Sequence, residues 1–208
     1  MQTIKLKKPV SILSTGTVAG VKEGLGPLSR YYDEILKDAE WDEKTWEKTE
    51  SKMQTFAVNK AMEKAGVSPK DVDYIFAGDL LNQCIASSFG LRSLEIPFFG
   101  LYGACSTMGE SAALASMTVS SGYASLALAV TSSHFCTAER QYRQPLEYGG
   151  QRPPSAQWTV TGSGAMLLGT GKPPYITHIT TGKIVDKGIN DANNMGAAMA
   201  PVSVKLTP

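Results

Sequence analysis

Two periods of hydrophobic and polar positions run along this chain. Between Lys44 and Ala65, the residues Met53, Phe56, Ala57, Ala61 and Ala65 recur at three- and four-residue steps. Glu47, Lys48, Lys52 and Lys60 fall largely off that stripe, which predicts an amphipathic helix. Gly66 stands where helices end. Ser68-Pro69-Lys70-Asp71 carries helix-start chemistry and delivers the chain into a buried strand, Asp73 to Ala77. Upstream, Val10 to Leu13 is a short β-branched-rich run after Pro9 and predicts a strand. Gly16, Gly20, Gly24, Gly26 and Pro27 predict a loop behind it, and Tyr31 to Ala39 a short helix or capped loop. Downstream, the pattern predicts a helix over Leu81–Leu94, a strand over Pro97–Tyr102 and a helix from Cys105 to Ser121 stopped by Gly122. Continuous apolar strands follow at Ser125–Thr131 and Thr161–Leu168. Strands and helices alternate, which predicts α/β layers around a mostly parallel sheet.

The helix from Cys105 is unusual in its side chains. Cys105, Ser106, Gly109, Ser111, Ala112, Ala113, Ala115, Ser116 and Ser120 are all small, and Glu110 is the single charge. A helix so poor in charge is expected to be buried on several sides, with neighbouring backbones close by.

Composition narrows the function classes. With 208 residues and 42% hydrophobic content, the chain can bury a real core. Lys plus Arg (20) nearly balances Asp plus Glu (19), and a net +1 argues against a dedicated nucleic-acid binder and against purely electrostatic membrane docking. No apolar stretch is long enough to span a bilayer. The basic patch Lys5, Lys7, Lys8 is followed by Pro9 and not by a signal-type apolar run, so a cytosolic-side protein is expected. Cys84, Cys105 and Cys136 form no CxxC pair and read as reduced thiols.

Chemistry concentrates at strand ends. Cys105 lies between a strand and a helix start, where unpaired N–H groups favour a thiolate or a bound anion. It reads either as a nucleophile or ligand-pocket residue, or as an inert buried thiol. His134 follows the strand ending Thr131-Ser132-Ser133. Because strand C-termini of open α/β sheets line ligand crevices, Asp79, Cys105 and His134 are expected on one rim. A hydrogen-bonded structural histidine is the competing reading of His134, and His178 reads as structural. In a zinc site built from Cys84, Cys105, Cys136 and His134, only His134 and Cys136 would be close in sequence, so no metal site is expected. Gly16-x-x-x-Gly20 matches neither a Walker loop nor a dinucleotide fingerprint, so no nucleotide cofactor is expected. Thr137 to Pro154 is long for a simple connection. Within it, Arg140 and Arg143 are three apart and could face one way to pair with a carboxylate ligand, or belong to a solvated or oligomer-contact loop.

Gly103-Ala104-Cys105-Ser106, between a strand and a small-residue helix, resembles the nucleophile turn of the thiolase-like superfamily, which includes thiolases and ketoacyl-acyl-carrier-protein synthases. More narrowly, seven stretches resemble, in order, the stage V sporulation AD family of endospore-forming bacteria. They are Gly78-Asp79-Leu80-Leu81-Asn82-Gln83, Gly103-Ala104-Cys105-Ser106-Thr107, Thr131-Ser132-Ser133-His134, Thr137-Ala138-Glu139-Arg140-Gln141, Glu147-Tyr148-Gly149-Gly150-Gln151, Thr161-Gly162-Ser163-Gly164-Ala165 and Met195-Gly196-Ala197-Ala198-Met199-Ala200-Pro201.

The resemblance implies the N-terminal half of a thiolase-like α/β fold, with a mostly parallel mixed sheet and a buried central helix. Residues 1–172 would form that half, and 173–208 the start of the second half or a linker. Condensing enzymes of the superfamily draw further catalytic residues from the second half, so Claisen chemistry by these residues alone is not expected. The resemblance implies binding of dipicolinic acid (pyridine-2,6-dicarboxylate), with calcium, for its uptake into the developing spore. It also implies a soluble or peripheral place at the spore inner membrane and other membrane proteins of the same complex as partners; without the second half the helix from Cys105 would lose cover on one side, and the apolar patch so left predicts a homodimer. The expected ligand-binding set is Asp79, Asn82, Cys105, Ser106, Thr107, His134, Arg140 and Arg143. The helix N-terminus would hold one carboxylate of this flat dianion and an arginine the other. The alternative is a degenerate acyltransferase with Cys105 as nucleophile.

Overall fold

The computed structural model describes residues 2–81, 84–142 and 158–183, with residues 186 and 188. Its first element is a long strand, β1 (Gln2–Ala19), followed by the single turn α1 (Val21–Gly24) and the two-residue strand β2 (Glu34–Ile35). The expected strand at Val10–Leu13 is thus extended at both ends, and Gly16, expected in a loop, lies inside it. A Cβ at Gly16 would collide with the Ala57 carbonyl oxygen and stand 2.8 Å from the Ala61 amide nitrogen, so only glycine admits the helix this close. Tyr31–Ala39, expected as a short helix or capped loop, contains β2 instead.

The amphipathic stripe forms α2 (Trp46–Ala65). Thr45 caps it by accepting from the Lys48 amide at 3.3 Å, and Gly66 closes it in the left-handed conformation, φ 68°. Ser68 and Asp71 form a reciprocal capping box around one 3-10 turn that leads into β3 (Tyr74–Asp79). Then come α3 (Ile85–Leu91), β4 (Phe98–Gly100), α4 (Thr107–Ser121) and β5 (Leu126–Ser133). Cys105 falls in a 3-10 turn just before α4, and Gly122, φ 84°, ends that helix. A further helix, α5 (Phe135–Tyr142), occupies the start of what the sequence suggests is a loop. Strands β6 (Gly162–Gly169) and β7 (Tyr175–Thr181) complete the sheet.

The strand order is β2-β1-β6-β5-β3-β4, with β7 also paired to β1. The sheet is mixed. β1 with β2, and β3 with both β4 and β5, pair in parallel; β6 with β1 and β5, and β7 with β1, are antiparallel. It follows that β1, β3, β4 and β5 run the same way, and their C-terminal ends share one edge. β7, beyond residue 172, joins the same sheet through β1.

Side chains alternate between two cores, as strand pleating requires. Ile75, Ala77, Leu128, Val130 and Leu167 meet Ala57, Val58 and Ala61 of α2. Phe76, Ala127, Ala129 and Leu168 meet Ala115 and Val119 of α4. The two helices therefore cover opposite faces. Leu128 and Leu167 are fully buried, each contributing about 2–3 kcal/mol of hydrophobic stabilisation. Central helix α4 buries Thr107, Ser111, Ala115, Ser116, Val119 and Ser120, while Gly109, Glu110 and Met117 on the other side are exposed. Among the described residues, no helix is long and apolar enough to cross a membrane.

Candidate functional site

The shared edge of strand ends carries Asp79, the Gly103–Ser106 turn and His134, but their side chains do not converge. Asp79 and Ser132 are register partners on β3 and β5. Both point toward α2 and α3, since Ser132 bonds Glu50 of α2 and Asp79 bonds Ser87 of α3. Cys105 precedes α4, the helix on the opposite face.

Asp79 is buried. Its Oδ1 accepts from the Leu81 amide at 2.9 Å, and its Oδ2 accepts from the Ser87 amide at 2.8 Å and the Ser87 hydroxyl at 2.6 Å. Burial raises its pKa, and those donors offset part of the rise. It orders the turn into α3. His134 is buried and its two ring nitrogens are engaged: Nε2 lies 2.8 Å from the Ala39 carbonyl oxygen, and Nδ1 accepts from the Cys136 amide at 3.2 Å. That pattern fixes the Nε2–H tautomer, and burial holds the imidazole below its ordinary pKa. The ring stacks on Trp46 with centroids 6.5 Å apart. So placed, His134 has no ring N–H left to offer a ligand.

Arg140 pairs with Glu47 of α2 and stands over the Trp46 ring, 5.6 Å from its centroid. It joins α5 to α2 and does not neighbour the Cys105 turn. Asn82 and Arg143 lie outside the described residues.

The Cys105 turn has its own geometry. Ala104 holds φ 47°, a left-handed conformation uncommon for a residue with a Cβ, which presents Cys105 exposed at the edge. Ser106 folds its hydroxyl back onto the Gly103 carbonyl at 2.7 Å. Thr107 is buried beneath, with its hydroxyl unpartnered, against Gly78. Cys84 fastens the segment from below, its Sγ donating to the Leu101 carbonyl at 3.1 Å. Burial and the Asp79 charge raise the Cys84 pKa and keep it a thiol.

A pocket of about 140 Å³ opens elsewhere on the same edge, lined by Lys22, Asp38, His134, Phe135, Cys136 and Trp158 among others. Trp158 stacks on Phe135 at 4.5 Å, with the Lys22 ammonium 3.3 Å over its ring. Cys105 does not line this pocket.

Sequence reasoning missed a buried polar cluster under the edge: Glu50, Gln54, Ser87, Ser132 and Thr137. A signal was available. Glu50 and Gln54 are four apart and in phase with Met53, Ala57 and Ala61, so they share the buried stripe of α2.

A half-fold with a mixed sheet, a central small-residue helix and a cysteine turn at its start is a thiolase-like fold. Solved structures agree. The priming β-ketosynthase of the R1128 polyketide pathway matches with a TM-score of 0.52 and 19% identity, over 82% of this chain and 53% of that one. The 3-oxoacyl-[acyl-carrier-protein] synthase III of Aquifex aeolicus VF5 matches with a TM-score of 0.52 and 18% identity, over 79% and 55%. The family model of Stage V sporulation protein AD (SpoVAD) matches residues 1–207, and the chain belongs to that family. The Stage V sporulation protein AD of Bacillus subtilis (strain 168) is 46% identical over 203 residues, 97% of this chain. The chain spans 60% of that relative's length.

Proposed function

We propose that this sporulation-family chain binds dipicolinic acid, as its calcium chelate, for uptake into the developing spore, and that it does so without catalysis. The observation that carries the reading is the exposed Cys105 turn at the N-terminus of α4. Helix N–H groups there suit a carboxylate, and the two histidines are bonded elsewhere, His134 to Ala39 and Cys136, His178 to Thr177. A thiol without a hydrogen-bonded base is poorly set up as a nucleophile. Family membership supplies the sporulation context. In this reading the protein works at the spore inner membrane beside other proteins of one complex. A second copy would cover the edge strand β4, where Phe98 and Phe99 stand exposed.

A degenerate acyltransferase is the second reading, favoured by the ketosynthase-like fold and the strained Ala104. Alkylation of Cys105 by iodoacetamide separates the two. Binding predicts slow labelling at neutral pH that millimolar dipicolinate slows further. Fast labelling at pH 7 supports the enzyme, and labelling indifferent to dipicolinate removes the Cys105 turn from the binding site.

A further inference from the structure

The small net charge of the chain hides a segregation. Residues 1–19 and 162–183, which contain β1, β6 and β7, hold Lys5, Lys7, Lys8, Lys172 and Lys183 and no Asp or Glu. Residues 111–125, most of α4 and the turn after it, hold no charged side chain. These segments take five of the 20 Lys and Arg residues and none of the 19 acidic ones, so the remainder of the chain is net negative. A net +1 disfavours docking driven by the charge of the whole molecule. A local face answers instead to what lies within a Debye length, about 10 Å at 0.1 M salt.

The topology gathers these lysines. The pairing of β1 with β6 stops at Ser11, and from Gln2 to Lys5 the strand paired with β1 is β7. The two strands thus form a ribbon that runs on the order of 20 Å past the main sheet, at the end away from the Cys105 turn. One face of the ribbon is anchored. Leu6 and Ile179 pack with Ala115 and Val119 of α4, and the Ser120 hydroxyl accepts from the Lys8 amide at 3.0 Å and donates to the Lys8 carbonyl at 2.9 Å. Strand pleating turns Thr3, Lys5, Lys7, His178 and Thr180 to the other face, where the Thr3 and Thr180 hydroxyls meet at 3.1 Å and Lys5 lies opposite His178. All five are exposed, as are Lys8, Lys172 at the root of the ribbon and Lys183 beyond its tip. α2 covers this face only further along β1, where the Ser14 hydroxyl donates to the Ala61 carbonyl and Lys64 reaches the Thr15 carbonyl. Among the described residues none of the five lysines forms an ion pair, whereas Lys52, Lys60, Lys64 and Arg140 do. The acidic residues at this end of the sheet are turned to backbone amides, Asp71 to Ser68 and Asp73 to Ser125 and Leu126, and Asp186 beyond Lys183 accepts from Gly188.

We infer that the lysine-lined β1–β7 ribbon is the surface by which this chain lies on an anionic phospholipid bilayer. The cations of the ribbon are all lysines, spread over a flat two-stranded face. Arginine forks suit the discrete phosphates of a nucleic acid or the carboxylates of a peptide, whereas hydrated point charges suit the diffuse potential of a headgroup layer. Tyr175, exposed at the root of the ribbon, is an amphipathic side chain of the kind that settles at headgroup level. The inference does not depend on what the Cys105 turn binds, and it gives the membrane placement proposed above a contact surface. β4 lies on the far side of the sheet, so a second copy there leaves the ribbon free. Each lysine near an anionic surface strengthens binding roughly fivefold, so Lys5, Lys7 and Lys8 together are worth roughly a hundredfold.

Co-sedimentation of the whole chain with protein-free vesicles tests the surface. Vesicles of phosphatidylcholine with about 30% phosphatidylglycerol should carry the chain down, and pure phosphatidylcholine should not. Binding should fall steeply between about 50 mM and about 500 mM salt. Lys5→Gln, Lys7→Gln and Lys8→Gln together should weaken it roughly a hundredfold, and Lys172→Gln with Lys183→Gln roughly tenfold or more, an independent reading if the triple variant does not fold. Lys37→Gln, Lys44→Gln and Lys48→Gln, the same charge removed from exposed sites off the ribbon, should leave binding near the wild-type level. Equal loss in that control overturns the inference, because net charge and not the ribbon is then being read. Equal binding to both vesicle types overturns it too, as does tighter binding to a DNA duplex than to anionic vesicles at the same salt, which assigns the face to nucleic acid. No binding to anionic vesicles at low salt overturns the ribbon contact while leaving a membrane placement through partner proteins standing.

Discussion

Substituting Gly78 by alanine tests the packing that sets the Cys105 turn. Gly78 sits in β3, where the backbone of Leu101 and the start of α4 cross it. A Cβ there would collide with the Leu101 carbonyl oxygen, and stand 2.8 Å from Thr107 Cγ2 and 3.0 Å from the Leu101 carbonyl carbon. Comfortable carbon contacts need about 3.5–4.0 Å, so the strand and the turn must part. The Leu101 amide is held to the Ala77 carbonyl at 2.8 Å, and that bond resists the shift. Overpacking against backbone costs about 1–3 kcal/mol or more. Gly109 supplies an internal control of opposite sign. It lies inside α4, and a Cβ there would meet nothing within 4 Å, so alanine should gain about 1 kcal/mol of helix propensity. Urea denaturation of the two variants reads both effects from midpoints at unchanged slope. Gly78→Ala should lower the midpoint and change the alkylation rate of Cys105, and Gly109→Ala should raise it. An unchanged midpoint in Gly78→Ala, or a lowered one in Gly109→Ala, refutes the close approach.

Two further outcomes are expected. Raising Glu50 from its ordinary 4.5 to about 7 makes the folded chain bind more protons than the unfolded one across that window, so stability is full below pH 4.5 and falls as pH rises through 7, by about 3 kcal/mol; urea midpoints measured across that range should show the fall, and Glu50→Gln should flatten it. Thr45→Ala removes the side-chain cap of α2 and should cost about 1 kcal/mol in the same assay.

Helices with caps were readable from residues alone. Gly66 and Gly122 mark the C-terminal ends of α2 and α4, because cap chemistry is local. β1 was not readable in full. Lys5, Lys7 and Lys8 face solvent and Pro9 and Gly16 interrupt its apolar pattern, while the pairing to β7 that makes the first half a strand comes from residues more than 160 positions away. The strand ends holding Asp79 and His134 could be placed on one edge from element order. Which face each side chain takes could not, since it depends on register with β5 and on what α2 offers. Glu50 and Gln54 escaped for the converse reason: polar residues on a helix read as surface unless their phase with the buried stripe is checked.

Ligand binding at the Cys105 turn is decided by a calorimetric titration of dipicolinate, with and without calcium, into the folded chain and its Cys105→Ala variant. Saturable binding to the wild type that weakens in the variant is the predicted result. A chain that melts cooperatively yet shows no saturable heat at millimolar dipicolinate, with or without calcium, would contradict it.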